Sequence, residues 1–370
     1  MTKSIQKMRD FYAQKKSAPL YLEEFGYYSL ERWMREGHIS KETDIQELFS
    51  FDTGGTHHLG CGGWCEAPFV PAFPEIILED DGKYELVQDI AGRKVQYFKG
   101  RRNGFMPEYR DHPVKDFATW ERDVKWRLDP KTPERLANAL ESAARAKLAA
   151  GEGRMVVMNV IGGYMYLRSL MGPEGILYMV YDDPKLVHAC MEAWFALMDW
   201  LAETVQKTVV IDELFLGEDI CYNHGPLISP DMIREFLFPY YQQVIASIKR
   251  RSLDPNRHLH IQIDSDGDCR PVIPLYAGLG ADYFSPFEAA SGCDVVELRR
   301  QYPHLLMRGG IDKRILSKGK DAIDRELERV IPFMREQGGY IPTCDHGVPE
   351  EVPFENYVHF RQRLKELGTM

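Results

Sequence analysis

The sequence has no apolar run approaching the roughly eighteen residues that a membrane-spanning helix needs, and its opening MTKSIQKMRDFYAQKK lacks the apolar core of a secretory signal. That stretch reads as an amphipathic first helix, and the chain as a cytoplasmic protein that meets no membrane. Positive charge is in short supply, with 46 lysines and arginines against 56 aspartates and glutamates, a net charge of −10. Holding a nucleic-acid backbone takes a basic footprint, so that class of partner is not expected. Cysteine is sparse and odd in number, seven residues scattered over 370, which argues against a disulfide framework. Cys61 and Cys65 in GCGGWCEAP have no second pair at zinc-ribbon spacing, and a glycine-rich loop accounts for them. No repeat, low-complexity tract or Ser/Gly-rich linker divides the chain, so residues 1–370 read as one domain.

What is present is an ordinary globular balance, 44% apolar and 28% charged, arranged as short apolar runs alternating with long amphipathic stretches. That alternation is the mark of an α/β protein with a parallel sheet. The candidate strands are 18–25, 47–52, 154–162, 211–219, 258–264, 281–288, 304–312 and 339–346. They number eight, as a single (β/α)8 TIM barrel requires. Helix starts between them are well marked: Ser229 as N-cap with Pro230 at the first helical position, and an Asp-Pro entry at 183–184. The stretch 79–128 departs from the pattern, alternating polar and apolar residues around a glycine turn, and reads as a β-hairpin inserted after the second strand.

Active sites of parallel barrels form at the C-terminal strand ends. Here those ends carry Glu23, Glu24, Asn159, Glu218, Asp219, Asp264, Asp266, Glu288, Asp312, Asp345 and His346. So many carboxylates need a cation, shared protons or basic partners such as Arg168, Arg308 and Lys313. A divalent metal on Asp264, Asp266 and His346, with Glu218 as a further ligand or proton acceptor, is one solution. The other is that Asp264 and Asp266 cap the turn that follows them. DSDGD is not a calcium loop, because its glycine precedes the third acid and no glutamate follows at the required spacing. Adjacent residues on a strand face opposite ways, so only one of Glu218 and Asp219 is expected to reach the axis, and Glu218 is preferred. His346 fits a ligand or a general acid/base. The catalytic candidates are therefore His346, Asp264 and Glu218, with Tyr164, Arg168, Tyr222 and Asp312 as substrate-binding candidates. IGGYMYLRSLMG, which supplies Tyr164 and Arg168, has the wrong glycine spacing for a dinucleotide site.

The segments GPLISPDMIREFLFPYYQQVI, DSDGD…VIPLYAGLGADYFSPFE, RGGIDKRIL and CDHGVPEEVPFENY, taken in order, resemble the uroporphyrinogen decarboxylase superfamily, which includes zinc-dependent methyltransferases that act with corrinoid proteins. The resemblance runs from Pro19 onward and implies a (β/α)8 barrel, often dimeric among the decarboxylases. Their arginine-bearing "RQAGR"-like segment is replaced here by LYLEEFGYYSLERW, their active-site tyrosine falls on Leu170, and their late histidine matches His346. An acidic mouth repels a substrate carrying several carboxylates, so true porphyrinogen decarboxylation is not expected. The methyltransferases' zinc ligands, a His-x-Cys pair and a late cysteine, fall on Asp264, Asp266 and His346. Harder ligands suit activation of an ether, alcohol or amine, which implies a demethylase of a small O- or N-methylated substrate. Its metal would be zinc or another divalent ion. The corrinoid would sit on a partner protein, since the chain has no Asp-x-His-x-x-Gly loop. Two alternatives stand beside this: a metal-independent decarboxylase of a small acid, and a non-catalytic barrel that binds a small molecule.

Overall fold

A computed structural model describes residues 1–102 and 107–369. Thirteen strands are assigned among the described residues. In chain order they are β1 (Thr56–Gly62), β2 (Ile76–Asp80), β3 (Tyr84–Gln88), β4 (Lys94–Phe98), β5 (Glu108–Asp111), β6 (Met155–Ile161) and β7 (Glu213–Gly217). After these come β8 (Cys221–Tyr222), β9 (Gly225–Pro226), β10 (His260–Asp264), β11 (Tyr283–Ser285), β12 (Leu306–Arg308) and β13 (Tyr340–Ile341). Seven of them form a parallel sheet in the order β1-β6-β7-β10-β11-β12-β13, and helices pack around it. This is the parallel α/β barrel that the alternation of elements predicts.

The eighth stave is the extended segment 18–28, which lies against both ends of that order. Leu22 accepts a backbone bond from Asp52, just before β1, while Tyr27 bridges in parallel to Val348, beyond β13. Its residues Leu20, Tyr21 and Leu22 are buried like those of a strand. Their N–H groups are spent elsewhere, Leu20 on the carbonyl of Gly368 and Leu22 on the Asp52 carboxylate at 2.9 Å, so no regular ladder forms.

The second strand corrects the sequence. Residues 47–52 are not a strand: Asp44 caps a helix at Ile45–Leu48 by accepting from the N–H groups of Gln46 and Glu47, and Ser50 then turns the chain with φ +52°. The strand at this position is β1, THHLGCG, whose histidines and glycines hide it from a search for apolar runs.

Between β1 and β6 the insertion is present. It contains a four-stranded antiparallel meander, β2-β3-β4-β5, which extends the predicted hairpin, followed by helical turns over 117–128. Residues 103–106 of the predicted stretch lie outside the described ones. Arg93 ties the meander to the loop after β1, pairing with Asp89 and with Glu66, each at 2.7 Å. Val114 donates to the carbonyl of Leu170.

The helices begin where their caps predict. Ser229 accepts from the Met232 N–H, and Asp183 from that of Leu186 at the head of Pro184–Gln206. That long helix buries Trp194, Leu197 and Leu201 against the sheet. No helix among the described residues is long and apolar enough to cross a membrane.

Candidate active-site cavity

A cavity of about 640 Å3 lies at the C-terminal ends of the parallel strands. Asp264 ends β10, in register with Gly217 of β7 and Ser285 of β11. Its Oδ2 accepts from the Ser285 hydroxyl at 2.7 Å, and that hydroxyl in turn accepts from the Gln262 amide at 2.8 Å. Burial pushes the Asp264 carboxyl up to about 7, with the charges of Asp266 and Asp219 helping, against the Ser285 bond and Arg308, which lower it. The group therefore exchanges its proton near neutral pH.

Asp266 and His346 stand at the mouth, 3.6 Å apart, with 44% and 39% of their side chains exposed. The Asp266 carboxylate raises the imidazole pKa, while partial burial opposes it. The Gly347 N–H donates to His346 Nδ1 at 2.8 Å, which leaves Nε2, the nitrogen nearer Asp266, to carry the proton of the neutral ring. Tyr28 stacks on the same imidazole with ring centres 6.3 Å apart. Asp268, the third acid of DSDGD, points away and is held by a two-pronged pair with Arg270 at 2.7 and 2.9 Å. Gly267, between them, has φ +78°, and a Cβ there would lie 2.6 Å from the Tyr222 carbonyl oxygen, so only glycine fits.

Glu218 is not in the cavity. It is fully buried behind the sheet, where Tyr241 and Tyr276 donate to it, the latter at 3.0 Å, together with the Tyr164 N–H at 3.3 Å. Burial pushes this carboxyl up to about 7, and the two phenols hold it partly back. The preference for Glu218 over Asp219 is reversed, because Asp219 adopts φ +42° and so breaks the strand alternation, turning its own carboxylate into the cavity. Asp219 pairs with Arg168 at 2.8 Å, so Arg168 acts on the cavity only through that partner. The remaining substrate-binding candidates also fall outside the lining. Tyr164 is completely buried, Tyr222 lies exposed on the β8–β9 hairpin, and Asp312 is spent on Arg314 at 2.8 Å.

Of the other lining residues, Arg308 and Asn159 are expected from the sequence, as a basic partner and a strand-end residue, while His58, Trp64 and the rest carry no local sequence signal. Arg308 at the end of β12 is paired with Glu23 at 2.8 Å and lies over the Phe25 ring at 4.2 Å. His58 of β1 meets Asn159 at 2.8 Å, and burial lowers its pKa. Trp64 stacks on Phe215 with ring centres 5.0 Å apart, and Tyr27, Tyr28 and Met165 complete an aromatic and apolar wall. None of residues 76–128, among those described, lines the cavity. The insertion supports the Trp64 loop from the side.

A zinc site on Asp264, Asp266 and His346 does not fit this arrangement. All three line the cavity, but their ligand atoms do not gather. Among the described residues, the one trio whose ligand atoms all lie within 4.8 Å of one another is His258, His260 and Asp282. His260 opens β10, so that trio is at the opposite end of the barrel from Asp264.

The sequence model of the uroporphyrinogen decarboxylase (URO-D) family matches residues 89–367. The chain belongs to that family. A curated relative, the uroporphyrinogen decarboxylase of Alcanivorax borkumensis, is 26% identical over 202 residues, 51% of each chain. The chloroplastic uroporphyrinogen decarboxylase of Nicotiana tabacum is 24% identical over 203 residues, 51% of this chain and 45% of that protein. For the uroporphyrinogen decarboxylase of Geotalea daltonii the match is 23% over 278 residues, 70% of this chain and 72% of that one. The chain thus spans about half the length of the first two relatives. Among solved structures, a methyltransferase from Methanosarcina mazei superposes with a TM-score of 0.58 over 97% of both chains at 14% identity, a likeness of fold. The cavity of this chain is acidic, and the arginine in it, Arg308, is already engaged by Glu23.

Proposed function

We propose that this URO-D family member is a demethylase, removing a methyl group from a small O- or N-methylated compound and passing it to a corrinoid carried by a partner protein. The observation that carries the proposal is the Asp264 carboxyl, which titrates at about 7 and faces a cavity walled by Trp64, Phe215, Tyr27 and Tyr28. Breaking a methyl–oxygen bond sends the bonding pair to oxygen, and the departing group then needs a proton. Asp264 supplies it when protonated, and His346, oriented by Asp266, is the alternate donor. A reduced corrinoid on the partner protein would supply, at the open mouth, the nucleophile that takes the methyl group as the bonding pair passes to oxygen. Aromatic faces beside Asp219 and Asp266 also attract a methylated ammonium group. A polyanion is disfavoured, since each close like-charge contact costs about 1–4 kcal/mol at surface-like dielectric. No step is assigned to a metal in the cavity.

A second reading is the decarboxylation of a small acid without metal, with Asp264 or His346 returning a proton to carbon. Family membership and the ungathered ligand atoms favour it, but Arg308 would have to exchange Glu23 for the substrate carboxylate. The two are separated by incubating the purified protein with small methoxyarenes or methylamines and free reduced cobalamin, following methyl transfer by absorbance. In parallel, carbon dioxide released from small carboxylic acids is trapped. Demethylation that falls about a hundredfold or more in Asp264→Asn supports the proposal. Carbon dioxide release without demethylation moves the assignment to the second reading, and thermal stabilisation by a ligand that is never converted would leave a binding protein.

A further inference from the structure

The end of the barrel remote from the cavity carries a second convergent cluster. His258 and His260 lie two residues apart at the entry to β10, so their side chains fall on one side of the strand. Asp282 immediately precedes the neighbouring β11. His258 Nε2 and His260 Nδ1 approach the same oxygen, Asp282 Oδ2, at 2.8 and 2.9 Å. The other carboxylate oxygen accepts from the Ile261 N–H at 2.9 Å, which fixes the carboxylate plane and leaves Oδ2 to the two rings. From the first helix (Lys3–Tyr12), the Tyr12 ring packs 4.9 Å from His260, while its hydroxyl donates to the buried Glu213. The cluster is thus held by two strands and a helix. His258, with 62% of its side chain exposed, opens it to solvent.

We propose that His258, His260 and Asp282 form a binding site for a divalent transition metal, with zinc the ion best suited to the donors. Two imidazole nitrogens and one carboxylate oxygen are borderline donors, which zinc, cobalt and nickel accept and magnesium and calcium do not favour. All three ligand atoms lie within 4.8 Å of one another, so short side-chain adjustments bring them around one ion. Coordination replaces the two hydrogen bonds to Oδ2, each ring moving its proton to its other nitrogen. No oxidant or further reactant is needed. An ion here would staple the starts of β10 and β11, and so acts on stability, with the catalytic cavity untouched. The proposal does not depend on what the cavity does.

The test is a calorimetric titration of the full-length, chelator-stripped protein with zinc near neutral pH, repeated with His258→Ala, Asp282→Asn and His346→Ala. One zinc per chain is expected, weakened about a hundredfold or more in His258→Ala and Asp282→Asn and unchanged in His346→Ala. Zinc should raise the melting temperature of the parent but not of His258→Ala, a substitution at an exposed position that leaves the fold intact. Cobalt in place of zinc should give visible d–d absorption that His258→Ala removes. Absence of binding, binding unchanged in His258→Ala, or binding lost only in His346→Ala would each overturn the assignment.

Discussion

Asp264 and Glu218 are both carboxyl groups pushed up to about 7 by burial, yet one faces a cavity and the other two phenols. Only the first can give its proton to a bound molecule. If Asp264 is the proton donor, activity is full while it is protonated and falls as pH rises through about 7. A rate profile measured from pH 5 to 9 checks this, and a profile that rises over the same interval would remove Asp264 from that role. Glu218→Ala should leave two buried tyrosine hydroxyls without an acceptor for their protons and lower stability by roughly 2–5 kcal/mol, as read by denaturant unfolding. Glu218→Gln, which mimics the protonated acid, should keep turnover close to the parent's. Choosing between Glu218 and Asp219 was beyond the sequence, because the choice turns on one positive φ angle. Asp264, Asp266 and His346 were legible because residues of that chemistry stood directly after strand-like runs.

At the scale of elements, strands with apolar faces were visible and polar ones were not. β6 declares itself through consecutive aliphatic residues and β10 through alternating ones, whereas β1 reads as a loop. Of the two half-buried histidines in β1 only His58 faces the cavity, and the same polarity that gives it a place beside Asn159 conceals the strand. The aromatic wall was equally illegible, since Trp64 and Phe215 meet only when β1, β6 and β7 line up side by side in the sheet. The turn after β10 offers a direct check on how the cavity acids are placed. Gly267→Ala forces a side chain into a left-handed backbone and against the Tyr222 main chain. We expect a stability loss of about 1–3 kcal/mol, together with a fall in activity larger than the stability loss explains, because Asp266 moves with the turn. Parent-like kinetics in a folded Gly267→Ala protein would show that the position of Asp266 is unimportant.

At the scale of the whole molecule, burial raises four carboxyl groups among the described residues to about 7: Glu24, Glu213, Glu218 and Asp264. Each holds its proton more tightly folded than unfolded, so its favourable contribution is complete below the usual carboxylate range and is lost as pH rises through about 7. Other acids act in the opposite sense. Despite burial, Lys115 and Lys94 hold Asp111 down to about 2, and His260 outweighs burial to lower Asp282, contributions lost on strong acidification. The melting temperature should therefore be highest near about pH 5, decline as pH rises through about 7, and level off above it. Melts across that range check the sign, and a melting temperature that climbs from pH 6 to 9 would contradict it.

The stacked pair in the cavity wall has an optical consequence. Trp33, Trp120 and Trp194 are sealed in the interior and Trp126 and Trp200 lie away from the cavity, whereas Trp64, 49% exposed, stands in its wall beside the acids. Indole emission responds to water and to neighbouring charge, so an occupant that displaces solvent from Trp64 shifts its colour and shields it from collisional quenchers. The protein thus carries its own dye for the site, and compounds can be screened by light before any reaction has been found.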